Sequence, residues 1–269
     1  MLDELDFIGR QPDNQIDIAE AALLLAALDL PQVARQPYRT HLNDLTVDFS
    51  ASARAATPSE QIDRLRHLIY EVHRYRGDSA TYDDMQNANL MRVIDRRKGL
   101  PVALGIVCLH VARSSGWKIS GTGFPSHFVL KGEVAGMPVF LDPFDTLSVL
   151  DEVGLRTYFA KLHGATARFD AGYLQPISDR GILLRLQNNI KLRAYQRGET
   201  DRALEIAGRM AALAPALGHL QLDVATLQAQ TGAVRSAIAT LETLAVSSPQ
   251  EDLCVAANTQ LAKLRRKLN

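Results

Sequence analysis

The stretch "RRKGLPVALGIVCLHVARSSGW", residues 96–117, carries the strongest structural signal in the chain. Pro101 suits the first turn of a helix, where its missing N–H costs nothing, and the pattern predicts a helix from Pro101 to about Ser115. That helix is apolar on every side, so it is expected to be buried, with Gly105 as a point of close packing. The run "PVALGIVCL" has nine residues, about half of what a membrane span requires. A thiol activated by the helix dipole would sit at the first turn, and Pro101 stands there instead. Cys108 comes seven residues later, about 10 Å along the axis at 1.5 Å per residue, and cannot take the same place.

Downstream of this helix the hydrophobic period changes. "WKISGTGF", "SHFVLKG" and "PVFLDPF" are short β-branched and aromatic runs. The last two are joined by "EVAGM", which reads as a hairpin loop. His127 falls in the run "FPSHFVL" and Asp142 in "FLDPF", fifteen residues apart. A hairpin brings such positions together on neighbouring strands facing the helix end, and if His127 faces the helix, alternation turns Ser126 and Phe128 away. Acyl transfer by a thiol requires a nucleophile at a helix N-terminus, a histidine base and a carboxylate to orient it. His127 and Asp142 fill two of those roles, and Cys108 is the one thiol in the helix. A His110, His127 and Asp142 metal set lacks helical two-histidine spacing, so no metal and no cofactor are expected. "GTGFPS" lacks the third glycine and the following helix of a dinucleotide fingerprint.

Upstream, the first hundred residues read as helical. Asp17 is the N-cap of a helix in "IDIAEAALLLAALDLP" that stops before Pro31, and Thr57 with Glu60 forms a capping box around Pro58. Ile62, Leu65, Leu68, Ile69 and Val72 then make one apolar face of a helix ending at Gly77, with the histidines and arginines on a solvated face. "DSATYDDMQNANLMRVIDRRKG" reads as a loop and a short helix. Arg96 and Arg97 are candidates to hold an anion or to make structural bonds with Asp83, Asp84 or loop carbonyls, and Asn89 to brace the same loop.

In the last third, Gly198, Ala203 and Pro215 recur as Gly232, Ala237 and Pro249, an offset of 34 residues. That period, with small residues where paired helices cross, is the signature of tetratricopeptide helix pairs. Two repeats and the final helix "EDLCVAANTQLAKLRRKLN" are few for an independent solenoid, so the array is expected to lean on the preceding domain.

Thirty basic residues balance thirty acidic ones, so no net field favours nucleic acid or a membrane surface. The start "MLDELDFIGRQ" lacks the basic and apolar regions of a secretory signal. Cys108 and Cys254 are the two cysteines, which fits a reducing, cytoplasmic compartment.

The ordered run "NLMRVIDRRKGLPVALGIVCLHVARSSGW", "GTGFPSHFVL" and "FLDPFD", followed by the helix-pair repeat, resembles the SirB family. The resemblance covers roughly residues 60–269 and implies an α+β, papain-like or transglutaminase-like core fused to C-terminal tetratricopeptide repeats. It implies a leading helical segment over 1–95, the core over 96–178 and the helix pairs over 179–269. Mapped onto the active members of that superfamily, the nucleophile falls at or next to Pro101, the histidine at His127 and the aspartate at Asp142. The expectation is a non-catalytic interaction or regulatory protein that binds a protein or peptide through the helix pairs or the old cleft. The alternatives are an amidase or peptidase-like hydrolase using Cys108 or a His127-activated water, and a structural assembly subunit. Candidate binding residues are Asn89, Arg96, Arg97 and Pro101.

Overall fold

The computed structural model describes residues 1–51, 57–134 and 136–268. Two compact units divide the chain, Asp13–Leu183 and Met1–Pro12 together with Leu184–Asn269. The mixture of helices and an antiparallel sheet makes the protein α+β.

After α1 (Leu2–Arg10), the larger unit begins with α2 (Ile18–Asp29), capped by the Asp17 carboxylate, which accepts from the N–H groups of Ala19 and Glu20. α3 (Gln36–Ala51) follows, and α4 (Pro58–Arg66) opens with the full Thr57–Glu60 capping box. Part of the α3–α4 connection lies outside the described residues. α4 does not run on to Gly77. It widens into a π-helical segment, His67–Val72, and the chain then extends into β1 (Arg76–Gly77). An i→i+5 turn accommodates an additional residue, so the inward face rotates. Tyr70 is buried in consequence, while Val72, expected on the apolar face, is 53% exposed.

A short 3-10 turn, Met85–Ala88, leads into α5 (Leu90–Arg96), β2 (Lys98–Gly99) and α6 (Pro101–Ser114). β1 and β2 pair in parallel. α6 is buried from Pro101 through Leu109 and again at Val111 and Ala112, with α2, α3, α4 and α5 around it. Its apolar stretch has no polar face because Pro101–Leu109 is buried on every side.

The sheet contains β3 (Ser120–Thr122), β4 (Leu130–Val134), β5 (Met137–Asp142), β6 (Ser148–Leu150) and, after α7 (Glu152–His163), β7 (Pro176–Ile177). The strand order is β6-β5-β4-β3-β7, with every neighbour antiparallel. Leu130 and Leu141 are register partners on one face. A Cβ on Gly105 of α6 would lie 3.6 Å from Leu130 Cδ2, so this is the face that meets α6. Phe140 and Leu150 are partners on the other face, packed with Phe124, Val129, Leu155 and Phe159. Phe128 joins α6 to the sheet. A Cβ on Gly105 would be 2.4 Å from its ring and one on Gly121 would be 2.5 Å away, so the ring occupies the space that both glycines leave open.

α8 (Asp179–Gln196) starts in the larger unit and continues into the smaller, which then holds α9 (Thr200–Leu213), α10 (Gly218–Gln230), α11 (Val234–Ser247) and α12 (Glu251–Leu268). Gly198 and Gly232 both turn the chain with positive φ, at 77° and 86°, a conformation that glycine adopts without steric cost. Ala203 and Ala237 are both fully buried. The 34-residue offset therefore corresponds to repeated helix–turn–helix geometry. α1 packs on α9, where Gly9 lies against the Ala212 carbonyl. Among the described residues no helix is long and apolar enough to cross a membrane.

Candidate functional site

The site is built where β5 ends. Asp142 is its last residue, and Asp142 Oδ1 accepts from the N–H groups of Phe144 at 2.8 Å and Asp145 at 3.3 Å. Asp142 Oδ2 lies 2.9 Å from His127 Nε2. With both carboxylate oxygens accepting, Nε2 is the ring nitrogen that carries the proton toward Asp142. The other ring nitrogen, Nδ1, is 3.2 Å from the Tyr158 hydroxyl of α7. His127 and Asp142 are only 5% and 6% exposed. Burial, followed by the Asp142 charge, pushes the Tyr158 hydroxyl up to about 12, so it is a neutral donor to Nδ1.

His127 does not lie within a strand. It follows a turn at Pro125–Ser126, in which Ser126 has a φ of 60°, and precedes β4. The expected alternation is reversed as well. Phe128 shares parity with Leu130 and faces α6, while His127 lies on the side of α7. The link from His127 toward the opening of α6 runs through Phe144, whose ring is edge-on to His127 at 6.4 Å. A Cβ on Gly77 of β1 would be 2.6 Å from that ring, and β1 runs beside β2, which leads into α6.

The loop after Asp142 is held in an unusual shape. Thr146 and Leu147 both have left-handed backbones, with φ of 49° and 55°, which costs non-glycine residues about 1–2 kcal/mol each. Arg66 donates from Nε to the Thr146 carbonyl and from Nη2 to the Leu147 carbonyl, each at 3.0 Å. One helical turn on, the Tyr70 hydroxyl donates to the Pro143 carbonyl at 2.6 Å. Two side chains four residues apart thus grip three carbonyls of the loop that presents Asp142. The sequence places Arg66 on a solvated face and gives Tyr70 no role, because a grip on a backbone 80 residues away leaves no local pattern.

The other candidate residues have different surroundings. Pro101 occupies the first turn of α6 and is buried. Cys108 is 0% exposed in the middle of α6, 3.7 Å from the Tyr70 hydroxyl, and burial pushes its thiol up to about 12. Asn89 caps α5 by accepting from the Arg92 N–H at 3.1 Å, and its amide donates to the Ala26 carbonyl of α2 at 3.1 Å. Arg96 donates to Asp78 at 2.7 Å and to Asn87 at 2.9 Å, while Asp84 caps the 3-10 turn. Burial pushes the Asp78 carboxyl up, but bonds from Thr81 and Arg96 outweigh it and hold the group below its ordinary value. Arg97, with a φ of 56°, lies over the Tyr75 ring and donates to the Tyr75 hydroxyl at 2.7 Å, with His41 Nε2 at 2.5 Å. Of the residues singled out in the sequence, the structure brings His127 and Asp142 into direct contact. Tyr158 completes their cluster, and nothing in its amphipathic helix marks it for that position. No group of three His, Cys, Asp or Glu side chains among the described residues is arranged to hold a metal.

A family model described as the transglutaminase-like superfamily matches residues 36–188. A UPF0162 protein of Pseudomonas aeruginosa is 30% identical over 212 residues, 78% of this chain and 76% of the relative. A UPF0162 protein of Xylella fastidiosa (strain Temecula1) is 28% identical over 208 residues, 76% of this chain and 74% of the relative. F-box only protein 21 of Mus musculus is 29% identical over 91 residues, 34% of this chain and 14% of that protein.

Proposed function

Because the chain belongs to the transglutaminase-like superfamily yet opens its core helix with Pro101, we propose that it is a non-catalytic member that works by binding a protein or peptide partner. The observation that carries this reading is the state of the one thiol in that helix. Cys108 is fully buried and its thiol is raised to about 12, whereas a nucleophilic cysteine is partly exposed and lowered. A His127-activated water is also disfavoured. Both ring nitrogens are engaged, Nε2 with Asp142 and Nδ1 with Tyr158, which leaves no lone pair for a water proton.

The helices from α8 to α12 are read as a tetratricopeptide-type array over 179–269 and the whole chain as SirB-like, acting in the cytoplasm. Leu192 and Tyr195 of α8, 47% and 49% exposed, line a concavity of about 150 Å³ with Lys191, Asp223, Leu227 and Gln230. Large apolar side chains exposed in a concave surface suit a docked peptide or helix. Cross-linking followed by mass spectrometry tests the reading. The partner recovered with wild type should also be recovered with His127→Ala and lost with Leu192→Glu plus Tyr195→Ala. An amide- or peptide-hydrolysing activity that disappears in folded His127→Ala would refute it.

A further inference from the structure

Away from the His127–Asp142 cluster, charge is concentrated where β1 and β2 run side by side. Arg76 and Lys98 are register partners there, about 4.8 Å apart across the ladder, and like charges so placed repel. Arg74 and Arg76 are exposed and Lys98 is half-buried, and none of the three has an ion-pair partner among the described residues. The nearby carboxylates are already engaged. Asp48 pairs with His73 at 3.2 Å, Asp95 accepts from the Tyr38 hydroxyl at 3.1 Å, and Asp78 holds Arg96. Arg74 and Arg97 are both in the left-handed region, with φ of 58° and 56°, a backbone cost that non-glycine residues bear where surrounding contacts impose it. Burial, with the positive charges of Arg97 and His73, holds His41 down to about 4, so the imidazole beside the strip remains neutral.

We propose that this strip is a docking site for an acidic segment of a partner protein, whose carboxylates supply the counter-charge that Arg74, Arg76 and Lys98 lack. The chain as a whole has thirty basic and thirty acidic residues, so the attraction is a local property of the strip. An extended segment fits better than one small anion because the cations are distributed. Arg76 and Lys98 stand one strand spacing apart across the ladder and Arg74 precedes them outside the strand, so successive carboxylates of an extended acidic chain can meet the cations in turn. This goes beyond the partner reading given above, since it requires neither the helix pairs nor the His127 cluster.

The test is fluorescence anisotropy of a labelled (Ser-Glu)5 peptide titrated with the full chain at low and high salt. Saturable binding at low salt is expected, abolished by 0.5 M NaCl and absent with a (Ser-Lys)5 control. Arg76→Glu should weaken it at least tenfold while preserving the fold, because it places opposite charges in register with Lys98. Leu192→Glu plus Tyr195→Ala should leave it unchanged, which separates failure of this site from failure of the array. Absence of saturable binding, or binding indifferent to Arg76→Glu, would overturn the proposal. So would complete displacement by millimolar inorganic phosphate, or tighter binding of a ten-nucleotide oligothymidylate, since the occupant would then be a small anion or a nucleic acid.

Discussion

Phe128→Ala should destabilise the larger unit by about 3–5 kcal/mol. The ring is 1% exposed and fills the space beside Gly105 of α6 and Gly121 of β3 at once. Neither glycine has a side chain with which to close the cavity, and the backbones of a helix and a strand cannot collapse together without losing their hydrogen bonds. The cost therefore belongs at the upper end for an aromatic truncation. Gly105→Ala approaches the same contact from the other side, driving a methyl to 2.4 Å from that ring. Trp117, the single tryptophan, packs beside Gly132 of β4 and reports on this unit. Its fluorescence in a urea titration should show the midpoint falling for both variants. A loss below about 1 kcal/mol for Phe128→Ala, against the usual range for such truncations, would mean that the helix–sheet contact is looser than described.

Asp142→Ala should cost about 1–3 kcal/mol for the buried His127 Nε2–H that is left without its acceptor. It also removes the acceptor for the Phe144 and Asp145 N–H groups, which shape the loop gripped by Arg66 and Tyr70. Asp142→Asn should be milder, about 1–2 kcal/mol in the range for disturbed buried hydrogen bonds. The amide oxygen can still accept from the loop N–H groups. Its NH2 would face His127 Nε2, so the imidazole must adopt the other tautomer and donate from Nδ1 to the Tyr158 oxygen. Nitrogen-15 shifts of the His127 ring should record that exchange. Equal losses for Ala and Asn, with no tautomer change, would show that the carboxylate does not organise the imidazole.

How much of this can be read from the sequence depends on whether a feature is local. The limits of α6 follow from Pro101 and the end of the apolar run at Ser114, the Thr57–Glu60 capping box is visible as four letters, and the helix pairs follow from a 34-residue offset. The approach of His127 to Asp142 is also legible, since a hairpin joins their segments. What is not legible depends on distant contacts. The π-helical segment turns Tyr70 inward to a carbonyl 73 residues away, and the left-handed residues Thr146 and Leu147 are held by Arg66 from outside their own loop. The turn at Ser126, which moves His127 out of the strand and to the α7 side, runs against an alternating pattern that reads as strand. Tyr158 reaches His127 across 31 residues, from a helix whose sequence shows only that it is amphipathic.

Whether an activated thiol serves His127 is decided by alkylation of native protein between pH 5 and 9, followed at Cys108 by mass spectrometry. With the thiol raised to about 12 and fully buried, Cys108 should be modified only as fast as the protein unfolds, and His127→Ala should not slow it. Rapid modification of Cys108 below pH 7 that slows in a folded His127→Ala variant would reveal a thiolate–imidazolium pair and overturn the non-catalytic reading.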